Sequence, residues 1–216
     1  LDAATHRLDF AEGFDAPFSI DMAGIRALPR QTRTVTLECA GNGRRGHASR
    51  SQSMPWGGEA VGTAEWTGTP LAPLIERARP AAGTVDIVFT GADRGFDDGV
   101  EHNFGRSLTP DQLAALDILL VYEMNGAPLL PQHGAPLRLI VPGWYGMASV
   151  KWLSRVDAAQ TPYQGFQQVR TYRYRDRAED PGIPVTEMRV KSLMVPPGLP
   201  DWSSRARRVR PGPVQV

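Results

Sequence analysis

The chain has 216 residues, of which 41% are hydrophobic and 22% are charged, and its formal net charge is +1. These values are typical of a globular protein with a sizeable core, and the small net charge favours neither nucleic acid nor a membrane as a partner. The one cysteine, Cys39, excludes an internal disulfide and a cysteine-rich zinc or iron–sulfur site. No apolar run reaches the length of a membrane span, and no signal peptide is recognisable. Because the chain starts at Leu1 rather than Met, a cytoplasmic and a periplasmic location both stay open.

Turns divide the chain into short apolar runs. The 22 glycines and 19 prolines separate these runs and favour a sheet-rich α+β protein. In chain order, the patterns predict a short strand around 8–10, a helix over 19–28 capped by Ser19, a strand over 34–39, a helix that begins at Thr69-Pro70, a strand over 85–89, a helix behind a capping box at 109–112, and strands over 118–122, 137–141 and 150–156.

Polar segments separate the predicted elements. Residues 46–63 and 94–106 are predicted to be long loops, and long loops inside a domain are often functional. Residues 161–184 are polar and rich in tyrosine and arginine, and the tail beyond them shows little apolar periodicity. We therefore expect one domain over 1–195 and an extended arm or linker over 196–216.

The strongest local signal lies between Thr34 and Arg45. Its strand-like alternation ends at Gly41-Asn42-Gly43, residues that tolerate a positive φ and turn the chain. Cys39 lies where the strand becomes the turn, and Arg44 follows shortly after it. Nearby guanidinium groups stabilise a thiolate, so this cysteine is a candidate ligand or nucleophile.

Four interpretations of this stretch are open from its residues alone. Residues 41–46 match the dinucleotide-binding pattern G-x-G-x-x-G, but no apolar stripe follows for the helix that such a site needs. Cys39 could be a nucleophile with His133 and with Asp93 or Asp97, although the arginines would be unusual beside a histidine base. It could instead ligate a soft redox metal whose other ligands come from an organic cofactor, or it could be a small core residue.

The segment from Glu38 to Arg44, Glu-Cys-Ala-Gly-Asn-Gly-Arg, resembles the molybdenum-cofactor domain of the sulfite oxidase and assimilatory nitrate reductase superfamily. Further matches follow in the family's order, so the likeness extends over nearly the whole chain. These matching segments are 62–68, 89–93, 122–126, 133–138, 141–143, 150–153 and 163–166.

This resemblance implies a mixed α+β domain with mixed β-sheets and short helices, and a molybdenum-molybdopterin cofactor. It implies that Cys39 is the thiolate ligand of the metal, that Arg44 and Trp56 line an anion pocket, and that Tyr163 is an active-site tyrosine. The residues that it assigns to the pterin and its phosphate are Asp93, His133, Arg138, Ser149, Val150 and Lys151.

The implied reaction is a two-electron oxygen-atom transfer to or from a small oxyanion or sulfur substrate. Because no haem-binding or flavin-binding module is recognisable, the electron acceptor is expected to be a separate protein such as a c-type cytochrome. A dimer is compatible with the resemblance, but the family's immunoglobulin-like dimerisation domain is not found before Val216.

Several positions depart from the family pattern. The pocket arginine that the family carries upstream has no counterpart in 1–18, Gln52 stands where a pocket lysine is expected, and Ser149 replaces a histidine that wraps the cofactor. Fewer cations weaken the binding of a dianion, which leaves sulfite in doubt as the substrate. A degenerate, non-catalytic cofactor-binding domain is therefore the main alternative, and a cysteine-dependent hydrolase is a weaker one.

Overall fold

Two five-stranded sheets and three short helices form most of the chain that is described. The computed structural model describes residues 1–46, 54–177, 179–192, 198–200 and 206–213. In chain order its elements are β1 (Arg7–Phe10), β2 (Phe18–Asp21), α1 (Met22–Arg26), β3 (Gln31–Glu38), β4 (Val61–Pro70), α2 (Ala72–Ala78), β5 (Asp86–Asp97), β6 (Val100–Leu108), α3 (Pro110–Ala115), β7 (Leu119–Met124), β8 (Ala127–Pro128), β9 (Arg138–Ile140), β10 (Leu153–Ala159), β11 (Arg173–Tyr174), β12 (Ile183–Pro184), β13 (Leu199–Pro200) and β14 (Arg207–Arg208), with 3-10 turns at Arg44–Gly46, Pro131–His133 and Gly146–Ala148 and a π-helical turn at Gln167–Thr171.

The first sheet has the strand order β2-β1-β10-β5-β6, and the second has the order β3-β4-β7-β8 with β9 also paired to β7. Strand β1 runs parallel to β10, while the other neighbours in the first sheet are antiparallel. Mixed sheets with few helices confirm the predicted α+β class.

The core follows from the two-residue period of the strands. On β7, Leu120 and Tyr122 face the main hydrophobic core, whereas Leu119 and Val121 face a second cluster. That second cluster also contains Trp66 of β4. Because both faces of β7 are covered, its sequence is a continuous apolar run rather than an alternating one.

Two predicted helix starts are wrong. Residues 18–21 pair with β1 in β2, with Ile20 opposite Leu8, and α1 begins only after Asp21, whose carboxylate accepts a bond of 2.8 Å from the Gly24 amide. Thr69-Pro70 ends β4 instead of opening a helix, and α2 begins at Ala72. In both places, pairing with a neighbouring strand overrides the local helical pattern.

The long loop predicted over 94–106 is a β-hairpin. β5 and β6 pair up to Asp97 opposite Val100, and Asp98 and Gly99 close the turn with φ values of 50° and 73°. Two central residues with positive φ form the tight turn that suits a twisted hairpin. The predicted loop over 46–63 overlaps β4, which begins at Val61, and residues 47–53 of that prediction lie outside the described residues. The last predicted strand runs from Leu153 to Ala159.

Other predictions agree with the structure. Thr109 and Gln112 form the capping box at α3, with bonds of 3.2 and 2.9 Å between each side chain and the other residue's amide. In the tail, β13 pairs with β14. The division into a domain over 1–195 and an arm over 196–216 stays a prediction. Within the described part of the chain, no helix has the length and apolar character needed to cross a bilayer.

The packing between β4 and β7 generates a stability prediction. A Cβ atom at Gly68 would overlap the carbonyl oxygen of Leu120, whereas a Cβ atom at Gly62 on the same strand would meet nothing within 4 Å. Gly68→Ala should therefore lower the free energy of unfolding by about 1–3 kcal/mol, as overpacking does, while Gly62→Ala should change it little. Urea unfolding of both variants measures the difference, and equal stability of the two would contradict this packing.

Candidate cofactor and substrate site

The turn after β3 holds Cys39 through the main chain. The Cys39 amide donates to the carbonyl of Ala60 at 2.9 Å, and the Asn42 amide donates to the carbonyl of Cys39 at 2.9 Å. The Gly41 amide lies 3.4 Å from the Cys39 Sγ and donates to it. The thiol is half-buried, so it is both fixed and accessible to a ligand.

Arg44 and Trp56 are brought to the same turn. Nη1 of Arg44 donates to the carbonyl of Met54 at 3.2 Å, and the guanidinium crosses the face of Gly41, where a Cβ atom would collide with it. The main-chain carbonyl of Trp56 accepts from the Arg45 amide at 2.9 Å. These contacts connect the chain before β4 to the residues that follow Cys39.

A cavity of about 180 Å³ adjoins the Cys39 turn. A Cβ atom on Gly146, which lines it, would lie 3.4 Å from the carbonyl oxygen of Glu38. A second cavity of about 300 Å³ shares Asp93 and Phe104 with the first, so the two together lie within the range of volumes that ligand pockets usually have. The residues lining the first cavity are Asp93, Phe104, Arg138, Gly146, Met147, Ser149 and Lys151.

Arg138 is a buried cation at the wall of this cavity, with 5% of its surface exposed. Its Nη1 and Nη2 atoms donate to the carbonyls of His133 and Ser149 at 2.9 and 3.1 Å. The guanidinium carbon lies 4.8 Å from the centre of the Trp66 ring. Burial lowers the pKa of the Arg138 guanidinium to about 10, and no carboxylate pairs with it in the described residues. The wall therefore carries a positive charge that the protein does not neutralise.

Lys151 and Asp93 complete the polar lining. Nζ of Lys151 donates to the carbonyl of Gln132 at 3.1 Å, and its pKa is lowered by burial first and by the Arg138 charge second. Burial raises the pKa of Asp93, against the smaller opposing effects of its own amide, Lys151 and His102. Oδ1 of Asp93 is buried without a hydrogen-bond partner in the described residues. An unsatisfied buried acceptor beside two cations is costly unless a ligand supplies the missing donor.

His133, Ser149 and Val150 contribute mainly through their backbones. The first two offer their carbonyls to Arg138, and the Ser149 hydroxyl accepts from the Val141 amide at 3.1 Å. Val150 packs in the main core and its carbonyl accepts from the Leu139 amide at 2.8 Å. These residues shape the cavity wall, whereas Arg138, Lys151 and Asp93 supply its charged groups.

Tyr163 lies beside β6. Its amide donates to Oδ2 of Asp86 at 2.7 Å. Its hydroxyl lies against the backbone of Gly105, where a Cβ atom would collide with it. Burial raises the pKa of this phenol, and the charge of Arg106 opposes the shift. The structure thus places Tyr163 close to Arg106.

Sequence reasoning missed Arg106 and Tyr172. Arg106 is 3% exposed, donates to the carbonyls of Gln167 and Val185 at 3.0 and 3.2 Å, and lies 5.7 Å from the centre of the Tyr172 ring. Tyr172 packs in one apolar cluster with Ala40 of the cysteine turn, and its pKa is raised by burial first and by the neighbouring Cys39 second. One sequence signal was available. Asp98-Gly99 is a typical hairpin turn, and a hairpin closed there places Arg106 on its second strand.

The chain is also similar in sequence to a known protein family. The family model described as an oxidoreductase molybdopterin-binding domain matches residues 1–167. The chain belongs to this family. The resemblance given by the cysteine turn is therefore confirmed, and so is the molybdopterin type of cofactor that defines the family.

Family members of several kinds are similar to the chain. It is 35% identical to sulfite oxidase from Gallus gallus over 216 residues, covering 91% of this chain and 46% of that protein. It is 36% identical to mitochondrial sulfite oxidase from Drosophila melanogaster, covering 72% of this chain and 29% of that protein. It is 29% identical to the NADH nitrate reductase of Ulva prolifera, covering 92% of this chain and 25% of that protein.

A solved structure has the same fold. The sulfane dehydrogenase SoxCD from Paracoccus pantotrophus superposes with a TM-score of 0.68 at 27% identity, over 80% of this chain and 43% of that one. The chain spans less than half the length of each of these four proteins.

The residues present fit a phosphorylated pterin. The unpaired charge of Arg138 and the ammonium of Lys151 suit an anionic phosphate, and the free Oδ1 of Asp93 suits an N–H donor of a heterocycle. Gly134 has a φ of 98°, and a Cβ atom there would lie 2.8 Å from Cβ of Lys151, so the loop must keep glycine to hold the lysine in place.

Inorganic phosphate should bind the cofactor-free protein at this cavity. Binding to the folded state alone raises its stability, and ~1 kcal/mol shifts the melting temperature of a domain of this size by about 2–4 °C. Lys151→Gln should lose most of this shift, while Arg7→Gln, which removes a cation exposed near Asp21, should keep it. Differential scanning fluorimetry at constant ionic strength makes the comparison.

Because phosphate also stabilises proteins by exclusion from their surfaces, the decisive quantity is the difference between variants. Equal shifts in wild type and Lys151→Gln would contradict an anion site at this cavity.

Proposed function

We propose that this chain is the catalytic molybdopterin domain of a sulfite-oxidase-type oxidoreductase. It exchanges an oxygen atom, with two electrons, with a small oxyanion or sulfur substrate. The observation that carries the proposal is the half-buried thiol of Cys39, in a turn where the carbonyl of the preceding residue, Glu38, lies against Gly146 of the cavity wall. The same wall holds the buried cation Arg138, which has no counter-charge among the described residues. Thiolate is a soft ligand that suits a redox metal, and the cavity offers what a pterin phosphate needs.

Each side chain has a separate task in this proposal. Cys39 provides the protein's ligand to molybdenum, and the cofactor, when bound, supplies the oxygen-atom and electron exchange. Arg138, Lys151 and Asp93 hold the phosphate and the heterocycle, supported by the backbones of His133, Ser149 and Val150.

Arg44 and Trp56 form the substrate side of the site in this proposal. The guanidinium of Arg44 attracts an anionic substrate, and Trp56 closes the pocket. Tyr163 donates a hydrogen bond to the substrate oxygen, a role that fits a phenol kept protonated by burial. Residues 1–167 match the pterin-binding domain. The electron acceptor in this proposal is a separate protein such as a c-type cytochrome.

The charge of the substrate is part of the same proposal. Arg7, which lies upstream of β2, bonds to Ser19 at 2.8 Å and pairs with Asp21. Gln52, the residue at the expected lysine position, lies outside the described residues. Arg44 is the cation that this proposal assigns to the substrate, and a single guanidinium suits a monoanion.

Cys39→Ser should abolish turnover while the fold is kept, because a hydroxyl is a harder and far less acidic ligand than a thiol. The assay uses protein from a host that makes the cofactor, with sulfite, sulfoxides and nitrate as substrates and artificial electron carriers. Far-UV circular dichroism checks the fold. Retained turnover would remove Cys39 from the mechanism.

The alternatives give different results in the same experiment. Bound molybdenum and pterin without turnover of any substrate would favour a non-catalytic cofactor-binding domain. Thiol-dependent hydrolysis by metal-free protein would favour a cysteine hydrolase.

Arg44→Met should raise KM for an anionic substrate by about 10–100-fold, the loss expected for one charge-assisted hydrogen bond. Arg33→Met is the matched control, because Arg33 lies exposed on β3, the strand that leads to Cys39. Steady-state kinetics at two salt concentrations provide the measurement. An unchanged KM in Arg44→Met would exclude Arg44 from substrate binding.

A further inference from the structure

We propose that Lys191 is a positioning residue for Cys39. It lies beyond the family-matched residues 1–167, in a segment that crosses back over the cysteine turn. Its Nζ atom is 2.5 Å from Oε1 of Glu38, the residue that immediately precedes Cys39. The same Nζ atom donates to the carbonyl of Asn42 at 3.4 Å. Lys191 thus bonds to the chain on both sides of the thiol.

Glu38 and Asn42 extend this connection into a closed network. Nδ2 of Asn42 donates to Oε1 of Glu38 at 2.8 Å, and Oδ1 of Asn42 accepts from the Ala60 amide at 3.1 Å. The carbonyl of Ala60 in turn accepts from the Cys39 amide at 2.9 Å. Every bond in this ring therefore involves the turn around Cys39, and Ala60, which directly precedes β4, closes the ring.

Burial makes the lysine important to the network. The side chain of Glu38 is 11% exposed, whereas that of Lys191 is 38% exposed. A carboxylate in such a position needs a counter-charge, because losing one partner of a buried pair leaves the other charge poorly solvated. Without Lys191, the Glu38 carboxylate is expected to turn toward water and release Asn42, which loosens the turn that presents the thiol.

The segment that carries Lys191 is itself anchored. The Met188 amide donates to the carbonyl of Gly143 at 2.9 Å, and the Tyr145 amide donates to the carbonyl of Thr186 at 3.1 Å. The guanidinium of Arg189 lies 3.9 Å from the centre of the Tyr174 ring. The lysine therefore reaches the cysteine turn from a fixed backbone, which a surface lysine on a free tail would not do.

The effect on catalysis that we infer rests on the proposed function, but the effect of Lys191 on the position of the thiol does not. If Cys39 ligates the metal, loosening its turn should lower kcat more than it raises KM, because the described polar contacts of Lys191 are with Glu38 and Asn42 and not with Arg44. The position of the thiol can be measured in cofactor-free protein, whatever the reaction is.

The experiment measures how fast Cys39 reacts with the disulfide reagent DTNB in native, cofactor-free protein. Cys39 is the one cysteine of the chain, so the signal has a single source. Lys191→Met should raise the rate about tenfold, the factor that corresponds to losing one charge-assisted hydrogen bond. Lys191→Arg should restore a rate close to that of wild type, because it keeps the charge.

Arg30→Met is the matched control. It removes an ion pair of similar geometry, Arg30 to Glu123 at 2.7 Å, from the opposite end of the same sheet. The variant should lower stability slightly and leave the DTNB rate unchanged. An unchanged rate in Lys191→Met, or an equal rise in Arg30→Met, would overturn the positioning role. Absence of molybdenum from wild-type protein would refute the proposed function and leave the DTNB result intact, so the two failures are distinguishable.

Discussion

The site depends on a buried guanidinium whose charge no carboxylate of the described residues neutralises. Arg138 enters the wall of the cavity from β9 and is held by the carbonyls of His133 and Ser149. Burying a charge without a counter-charge costs several kcal/mol, so a fold keeps such a group where an anionic ligand supplies the missing partner. The loop before β9 and the loop after it are both bonded to this one side chain, and the shape of the cavity follows from it.

The two sheets bring the other groups to the cavity from different directions. β3 ends at Glu38, immediately before Cys39. In β5, a register shift between Thr90 and Arg94 leaves Asp93 outside the regular strand pairing. Lys151 precedes β10 and is packed against Gly134. The acid and the two cations are therefore far apart in sequence but line one pocket, and the residue before the thiol packs against Gly146 of its wall. The strands behind them limit how far they can move.

Sequence alone predicted the parts of this arrangement that have local signals. The strand ending at Cys39, the glycine turn after it and the capping box at Thr109 follow from patterns of a few residues, and the structure has all three. The family resemblance added the cofactor, which no local pattern specified, and similarity confirms it.

What sequence reasoning missed depends on long-range burial. Arg106 lies in a stretch that is polar enough to resemble a loop, and its burial arises only because the segment after Tyr163 folds over it. Lys191 is likewise an ordinary charged residue until its segment crosses the cysteine turn and meets Glu38. In both cases the partner is many residues away, so neither periodicity nor spacing indicates the contact.

We propose that Cys39 binds the metal of a cofactor held beside Arg138. Molybdenum K-edge X-ray absorption of cofactor-loaded wild type and of Cys39→Ser tests it most directly, because the fine structure reports the atoms bonded to the metal and not the rate of any reaction. If Cys39 is a ligand, the variant retains molybdenum but shows one sulphur ligand fewer than wild type. An identical sulphur shell in both proteins, or wild-type protein that binds no molybdenum, would contradict it.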